Sequence, residues 1–311
     1  MPELSVLMVS YRTPDLVKRC LDALALQRDE VDLEVVLVDN APGDGTAALV
    51  AHHHPWVEVD PQDNVGFSRG VNRAAELASG DLLLLLNPDT EPHPGAMKAL
   101  VEAHHRHSEA GLIGGRIKTP EGEVDPHSCF GEPSLWAAFC FATTLDTIFK
   151  NHPILHPESL GPWPRDTERE VDIISGALCL VARPVWDELG GLDERFWMYG
   201  EDTDFSMRAT RAGYHPRITP DAVVTHESGA SSREGWRKAM VLKGKITCHR
   251  KHRPAPVAQA ARLLLIAGAA TRALGARAVS AATRGRRGGT ALDWVEVWRN
   301  RSDWSMGHDL T

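Results

Sequence analysis

The chain has 311 residues, 42% of them apolar and 24% charged, with a formal net charge of −8. These values describe a folded globular chain, long enough for one large α/β domain with additions or for two domains, and exclude a chain dominated by disorder. Its five cysteines (Cys20, Cys129, Cys140, Cys179, Cys248) are scattered, odd in number and never spaced Cys-x-x-Cys, which argues against a disulfide framework or a zinc site and makes a reducing cytoplasm the expected compartment.

Strand and helix signals alternate from the start. LSVLMVS (4–10) reads as a buried strand, and Thr13-Pro14-Asp15 then offers a cap, a first-turn proline and an acid ahead of the apolar spacing Leu16, Cys20, Leu24. LEVVLVDN supplies a second buried strand ending in Asp39-Asn40, followed by the turn-rich APGDG and a helix over about 46–54. WVEVD is a short third strand, and Ser68 caps a helix that runs to Ser79 with Gly80 at its C′ position. DLLLLLNPDT (81–90) is the most informative stretch: five leucines bounded by turn formers read as a strand buried on both faces, with Asn87-Pro88-Asp89 at its carboxyl end. Open α/β sheets bind ligands outside such strand ends, so Asp89 reads as a metal or phosphate-site carboxylate or as a cap on the next helix.

Pro94 opens a further helix to about His107, and GLIGGRI is another short strand. Residues 118–170 read as loops with one short helix near 136–149. From Asp172, DIISGALCLVAR reads as one strand, Pro184 starts a short helix, 201–212 is a helix that Gly213 terminates, and AVVTHE is a last strand. Helices are expected over 233–253 and 256–281, then a linker and a docking tail over 282–311. The alternation over 1–117 predicts right-handed crossovers and a mostly parallel sheet of Rossmann character. SYRTP after the first strand lacks Gly-x-Gly-x-x-Gly, which disfavours a dehydrogenase. The same stretch lacks the glycine-rich phosphate loop of a sugar nucleotidyltransferase, and the basic tail alone would also suit a non-catalytic sugar-nucleotide-binding module.

Charge is unevenly distributed. Residues 233–287 hold fourteen Lys and Arg against one acid, Glu234, so that segment carries +13 and the rest −21. Trp236 is its single aromatic, which argues against nucleic acid. VAQAARLLLIAGAATRALGARAV mixes apolar stripes with arginines, so contact with an anionic membrane surface or a lipid-linked phosphate stands beside ordinary helix packing with a solvated basic face. Residues 4–10 are too short for a secretory segment, and the longest apolar run, 263–270, lies between Arg262 and Arg272, so no spanning helix is expected.

Five motifs occur in one order over residues 5–227: SVLMVSYRTPDLVKRCLDAL, VVLVDNAPGDGT, NVGFSRGVNRA, LLLLLNPDT and SGALCLVARPVWDELGGLDERFWMYGEDTDFSMRATRAGY. In these motifs the chain resembles the family 2 glycosyltransferases of GT-A fold, closest in flavour to bacterial rhamnosyltransferases. The resemblance implies a GT-A catalytic domain over 1–230, with a nucleotide-binding half over about 1–117 and an acceptor-binding half over about 118–230. A basic, partly amphipathic helical extension follows over 231–281. The implied reaction is inverting transfer of a hexose from a dTDP- or UDP-linked sugar to a glycan or polyprenyl-diphosphate-linked acceptor, at the inner face of the cell membrane. The Trp-Met-Tyr-Gly-Glu-Asp-Thr-Asp region favours dTDP-L-rhamnose, with UDP-linked galactofuranose, glucose and N-acetylglucosamine as the other donors.

Such chemistry needs a base pocket, a cation against the departing diphosphate, and a base for the acceptor hydroxyl. By resemblance Asp39 contacts nucleobase and ribose, with capping of the Asp44-Gly45 loop as its structural alternative, and Tyr11 edges the same pocket or packs as a rim aromatic. Asn64, Gly66 and Arg69 form an Asn-x-Gly loop against the nucleotide, and Asn72 on the following helix braces the Asn87-Pro88-Asp89 turn. Asn87-Pro88-Asp89 stands where the family carries Asp-x-Asp. Its first acid is replaced by asparagine, which leaves Asp89 as the ligand of Mg²⁺ or Mn²⁺, with His226 as a second ligand or a buried strand-end histidine. Asp202 is the expected base and Glu201 orients a sugar, while Asp204 is read as a helix-face acid. Ser175, Gly176, Ala177, Trp197 and Tyr199 line the acceptor side. The clusters His52-His53-His54 and His104-His105-His107 are read as solvated surface residues.

Overall fold

A computed structural model describes residues 2–227, 233–282 and 291–310, so the junction near 230 and most of the expected linker lie outside the described residues. The chain separates into two compact units. The first comprises Met1–Phe130, Pro164–Trp197 and Glu201–Ser231, and the second Gly131–Trp163, Met198–Gly200 and Ser232–Thr311.

The first unit is built on a nine-stranded sheet. Its elements are β1 (Leu4–Ser10), α1 (Pro14–Ala25), β2 (Leu33–Asp39), α2 (Thr46–His53), β3 (Glu58–Pro61), α3 (Phe67–Leu77), β4 (Leu82–Leu86), β5 (Thr90–Pro92), α4 (Ala96–Arg106), β6 (Leu112–Lys118) and β7 (Cys129–Phe130). They continue as β8 (Arg169–Glu170), β9 (Ile173–Ile174), β10 (Leu178–Ala182), α7 (Arg183–Leu189), α8 (Glu201–Arg211) and β11 (Arg217–His226). The strand order is β3-β2-β1-β4-β10-β6-β11-β5, with β8 added to β11 and β7 paired with β9 in a separate ribbon. Strands β3, β2, β1 and β4 are mutually parallel, β10 is antiparallel to both β4 and β6, and β11 runs parallel to β6. Six of the nine strands therefore share one direction. All five leucines of β4 are buried, because helices cover both faces of a parallel sheet. The core of this unit packs Leu4, Val6 and Met8 of β1, Leu84 and Leu86 of β4, and Leu21 and Leu24 of α1.

Local differences from the sequence reading have physical causes. Ser68 does not cap α3: Gly66 occupies the cap position, and the Ser68 hydroxyl donates to the Phe196 carbonyl at 2.6 Å. Gly80 is no C′ glycine; its N–H donates to Ser5 Oγ at 2.8 Å, in a strand-edge contact. Residues 172–183 form two strands, because Leu178 N–H closes a turn onto the Ser175 carbonyl at 3.2 Å. The helix expected from Pro94 starts at Ala96 behind Gly95, whose φ is 79°. Strand β5 was not foreseen; it pairs antiparallel with β11 and sets His226 opposite Thr90. His54 is buried 3.1 Å from Asp22, and His107 bonds Glu168 at 2.8 Å, so the two histidine clusters are partly structural.

The second unit is helical: α5 (Leu135–Ala142), α6 (Leu145–Ile148), α9 (Glu234–His252), α10 (Ala255–Ala282) and α11 (Ala291–Arg299). Thr144, at φ 63°, separates α5 from α6 where one helix was expected. Its core joins Ala138, Leu242, Ile246, Ala261, Leu265, Ala269, Val297 and Trp304. Trp304 is fully enclosed and donates to the Val297 carbonyl at 2.9 Å, so the tail packs within this unit. Helix α10 has 28 residues and an 18-residue window of mean hydropathy 1.3, which by length and composition suffices to cross a membrane. Here its small-residue face, including Ala261, Gly268 and Ala269, packs on α5, α9 and α11.

Candidate active site

The candidate residues of the first unit collect at the carboxyl edge of the parallel strands. Ser10 and Asp39 end β1 and β2 in register, Asn87–Asp89 leave β4, and Gly176 precedes the antiparallel β10. This is the edge at which open α/β sheets take ligands. A recess of about 380 Å³ lined by Glu3, Asp81, Leu82, His104, His105, Ala182 and Pro184 lies at the opposite end, where β1 and β4 begin.

Asp39 is fully buried. Its Oδ1 accepts from Ala41 N–H at 3.1 Å and Ser10 Oγ at 3.4 Å, while Oδ2 has no partner among the described residues. Burial pushes its carboxyl above the ordinary aspartate range, and the nearby Asp44 adds to the shift. Gly45 occupies the cap position of the following helix and Asp44 Oδ1 accepts Thr46 N–H at 2.8 Å, so Asp39 takes no part in starting that helix. Asn40 was not singled out. Its Nδ2 donates to the Gly66 carbonyl at 3.1 Å and ties the β2 edge to the Asn-x-Gly loop. Tyr11 is exposed at the rim with the Arg12 guanidinium 5.1 Å from its ring centre, and Arg12 holds a left-handed φ of 57°. Strained non-glycine backbone of this kind concentrates at functional edges.

Asn64 Oδ1 accepts Gly66 N–H at 3.1 Å and turns the chain into α3. Gly66 adopts φ 88°, and a Cβ there would lie 2.5 Å from Trp197 Cδ1. Both the left-handed φ and the packed tryptophan therefore call for glycine here. Phe67 N–H donates to the Trp197 carbonyl at 2.8 Å, which locks the approach to the Glu201–Asp202 helix onto α3. Arg69 is exposed and pairs with Glu194 at 3.2 Å. An exposed pair of this kind holds by ~1 kcal/mol or less and is readily exchanged for a phosphate. Asn72 does not brace the Asn87–Asp89 turn as expected: it bonds Leu192 N–H and carbonyl, both at 2.9 Å, and so supports the loop ahead of Trp197.

Asn87 N–H donates to the Ala177 carbonyl at 3.2 Å, and Thr90 Oγ1 returns to the Asn87 carbonyl at 2.7 Å. Asp89 Oδ1 lies 3.0 Å from His226 Nε2, both side chains are largely buried, and Glu227 N–H binds the Asp89 carbonyl at 3.0 Å. A 3.0 Å gap equals about one edge of an octahedron with bonds of ~2.1 Å, so the pair fits two adjacent ligands of a small divalent cation. Among the described residues no group of three or more His, Cys, Asp or Glu forms a complete cage, so such a cation would draw its other ligands from diphosphate and water. Asp125, without a sequence signal, stands close enough for His226 to act on its charge. Burial pushes that carboxyl up, but the His127 ring at 2.6 Å and its N–H outweigh this and bring it down to about 2.

Asp202 joins the same edge through the split strand. Its Oδ2 accepts Gly176 N–H at 3.3 Å, one residue from the Ala177 carbonyl that holds Asn87, and its Oδ1 accepts Thr203 N–H at 2.7 Å. Burial raises its carboxyl above the ordinary value. Glu201 is buried with Oε2 unpartnered among the described residues, and burial, then the Asp202 charge, hold its carboxyl well above the ordinary glutamate value. Asp204 is not a helix-face acid: it is fully enclosed and pairs with Arg208 at 2.8 Å, so it anchors α8. Ser175 Oγ accepts Ala177 N–H at 3.3 Å, and Gly176 leaves ordinary van der Waals space between Phe67 and Asp202. Tyr199 belongs to the second unit, where its ring meets Trp236 edge-on at 6.2 Å.

The sequence profile of glycosyl transferase family 2 matches residues 5–159. The N-acetylglucosaminyl-diphospho-decaprenol L-rhamnosyltransferase of Mycobacterium tuberculosis is 32% identical over 244 residues, 74% of this chain and 77% of that protein. The O-antigen biosynthesis protein RfbC of Myxococcus xanthus is 30% identical across 75% of this chain and 18% of its own length. Among solved structures, the mannosyltransferase PcManGT from Pyrobaculum calidifontis, in complex with GDP-Man and Mn²⁺, aligns with TM-score 0.58 at 19% identity, over 97% of this chain and 87% of that one. Residues 1-349 of S. aureus TarS align with TM-score 0.51 at 15% identity, over 97% and 91%. The fold shared with these structures is GT-A, and by its sequence relatives the chain belongs to glycosyl transferase family 2, alongside bacterial rhamnosyltransferases.

Proposed function

We propose that this glycosyltransferase inverts the anomeric centre in transferring L-rhamnose from dTDP-L-rhamnose to a polyprenyl-diphosphate-linked glycan acceptor, in cell-envelope polysaccharide synthesis at the cytoplasmic face of the membrane. The observation that carries this reading is the hydrogen-bonded path Asn87–Ala177–Gly176–Asp202, which ties the Asp89–His226 pair and the Asp202 carboxylate to one strand edge. The relative at 32% identity supports the transferred rhamnosyl group and the lipid-linked acceptor, since it is an N-acetylglucosaminyl-diphospho-decaprenol L-rhamnosyltransferase.

In the proposed mechanism Asp39 holds the nucleobase and ribose with its unpartnered Oδ2, Tyr11 closes the rim, and the Asn64–Gly66 turn with Arg69 flanks the diphosphate. Asp89 and His226 would hold Mg²⁺ or Mn²⁺, which would supply positive charge against the negative charge gathering on the diphosphate. The acceptor hydroxyl forms a bond to the anomeric carbon as the bond from that carbon to the diphosphate oxygen breaks. The electron pair leaves with the nucleoside diphosphate, and the hydroxyl proton passes to Asp202. The raised proton affinity of Asp202 suits that role, because a stronger base takes the proton earlier along the reaction. Glu201, whose carboxyl burial and the Asp202 charge hold well above the ordinary glutamate value, orients the acceptor or donor sugar. Ser175, Gly176, Ala177 and Trp197 border the acceptor. The basic segment 233–287, within its described part, faces anionic lipid.

The test is transfer to a synthetic polyprenyl-diphosphate N-acetylglucosamine with dTDP-L-rhamnose, UDP-galactofuranose, UDP-glucose and UDP-N-acetylglucosamine as donors, with Mg²⁺ or Mn²⁺ and with chelator. Rhamnosyl transfer that chelator abolishes, and that Asp89→Ala loses at every Mn²⁺ concentration, is the expected result. Transfer from a UDP-sugar alone would overturn the donor, and full turnover in chelator would remove the cation.

A further inference from the structure

The second unit exposes apolar surface out of proportion to its size. Among the described residues fifteen large hydrophobic side chains are exposed, and twelve of them belong to this unit. The densest group lies on and after α5. Trp136 and Phe139 stack with ring centres 5.2 Å apart, and Ile148, Phe149 and Ile154 follow on the next turns, each more than 40% exposed. The Trp136 indole N–H donates to the Ile154 carbonyl at 2.7 Å. A tryptophan at a water-facing surface ordinarily keeps that polar tip wet; here it is satisfied by the chain itself, and the ring presents an apolar face alone. Apolar patches of this kind on a folded surface mark an interaction site.

Charge selects the partner. By sequence the unit carries seventeen Lys and Arg against eight Asp and Glu, a net +9 within a chain of net −8. The three acids of the aromatic segment are each neutralised by a base from α9 or α10: Glu132 by Arg253 at 2.7 Å, Asp146 by Arg272 at 2.6 Å, and Glu158 by Lys245. Lys150, directly after Phe149, adds a positive charge. No acid of that segment is therefore left as an unpaired charge to repel an anionic surface. The outward face of α10 repeats the pattern: Leu263 and Leu274 are more than half exposed on the side opposite its buried alanines, and Arg277 is exposed one turn on.

We infer that the α5–α6 ridge of Trp136, Phe139, Ile148 and Phe149 is the element that inserts into an anionic lipid bilayer, while the basic residues of the same unit supply the attraction that brings it there. Aromatic rings at the headgroup boundary beside basic side chains match the chemistry of a peripheral, interfacial contact. This deepens the membrane contact in the proposed function, which invoked only the basic segment, and assigns a role to residues that the catalytic chemistry does not use.

The experiment is co-sedimentation of the full chain with vesicles of phosphatidylcholine containing about one third phosphatidylglycerol. Wild type is compared with Trp136→Ser/Phe139→Ser at low and high salt. Both positions are exposed, and an unchanged melting temperature verifies the fold. The expected result is salt-weakened binding by wild type and a rise of about tenfold or more in the half-saturating lipid concentration for the double variant. Equal binding by wild type and variant would overturn the ridge and leave the basic-segment reading standing. No binding by wild type at low salt would overturn both. A wild-type dimer in light scattering that the double variant turns into a monomer, with the vesicles unbound, would assign the ridge to a second copy of the chain.

Discussion

Replacing Asp202 by Asn separates the proposed chemistry from the architecture that supports it. The carboxylate makes three hydrogen bonds: Thr203 N–H at 2.7 Å and Thr203 Oγ1 at 3.3 Å to Oδ1, and Gly176 N–H at 3.3 Å to Oδ2. An asparagine with its oxygen toward Thr203 keeps the first two and sets its NH₂ against Gly176 N–H, losing one long contact. A hydrogen bond of that quality contributes about 1 kcal/mol. Against this stands the relief of a partly buried charge whose desolvation raises its proton affinity, so the net stability change is within about 1 kcal/mol. Loss of the proton acceptor, by contrast, costs about 10²- to 10⁴-fold in turnover. That corresponds to about 3–5 kcal/mol on the barrier, at ~1.4 kcal/mol for each tenfold. The assay is a single preparation measured three ways: melting temperature, nucleotide-sugar affinity by calorimetry, and turnover against pH. Wild type is expected to show an acidic limb in kcat/KM above the ordinary aspartate range, which the variant lacks. Turnover within about threefold of wild type would refute the base assignment, whereas lost nucleotide-sugar binding would assign Asp202 to the donor site.

Two further outcomes follow from the geometry. Glu201 is buried, and its proton affinity is raised first by burial and then by the Asp202 charge. The folded chain therefore keeps a proton that the unfolded chain has released, so the stability this group contributes is present at low pH and is lost as pH rises above the ordinary glutamate value. Glu201→Gln is neutral at every pH, so its stability relative to wild type, read from melting temperature, should climb as pH rises above the ordinary glutamate value, by up to about 1.4 kcal/mol per pH unit; a constant offset would contradict the raised proton affinity of this buried acid. For Gly66→Ala, a φ of 88° and a Cβ 2.5 Å from Trp197 Cδ1 combine backbone strain with overpacking. The two together cost about 2–6 kcal/mol, to be read from denaturant unfolding. A loss under 1 kcal/mol would show that Trp197 yields freely.

The sequence alone determined the alternation of strands and helices, because apolar runs such as LLLLL and LEVVLVD bury on both faces only in a helix-covered sheet. It also determined which acids stand at strand ends, since Asp39 and Asp89 follow those runs directly. Tertiary structure decided what the same residue types do once packed. Asp204 and Asp202, two positions apart on α8, diverge because one turns inward onto Arg208 while the other meets a backbone N–H freed by the break between β9 and β10. His226 reaches Asp89 only because β5, three residues too short to carry a periodic signal, pairs with the end of β11. The demand on Gly66 likewise comes from Trp197, which is 131 positions away in the chain. Periodicity reports which face of an element is buried, but a contact between distant elements depends on register and turn geometry, and no local pattern encodes these.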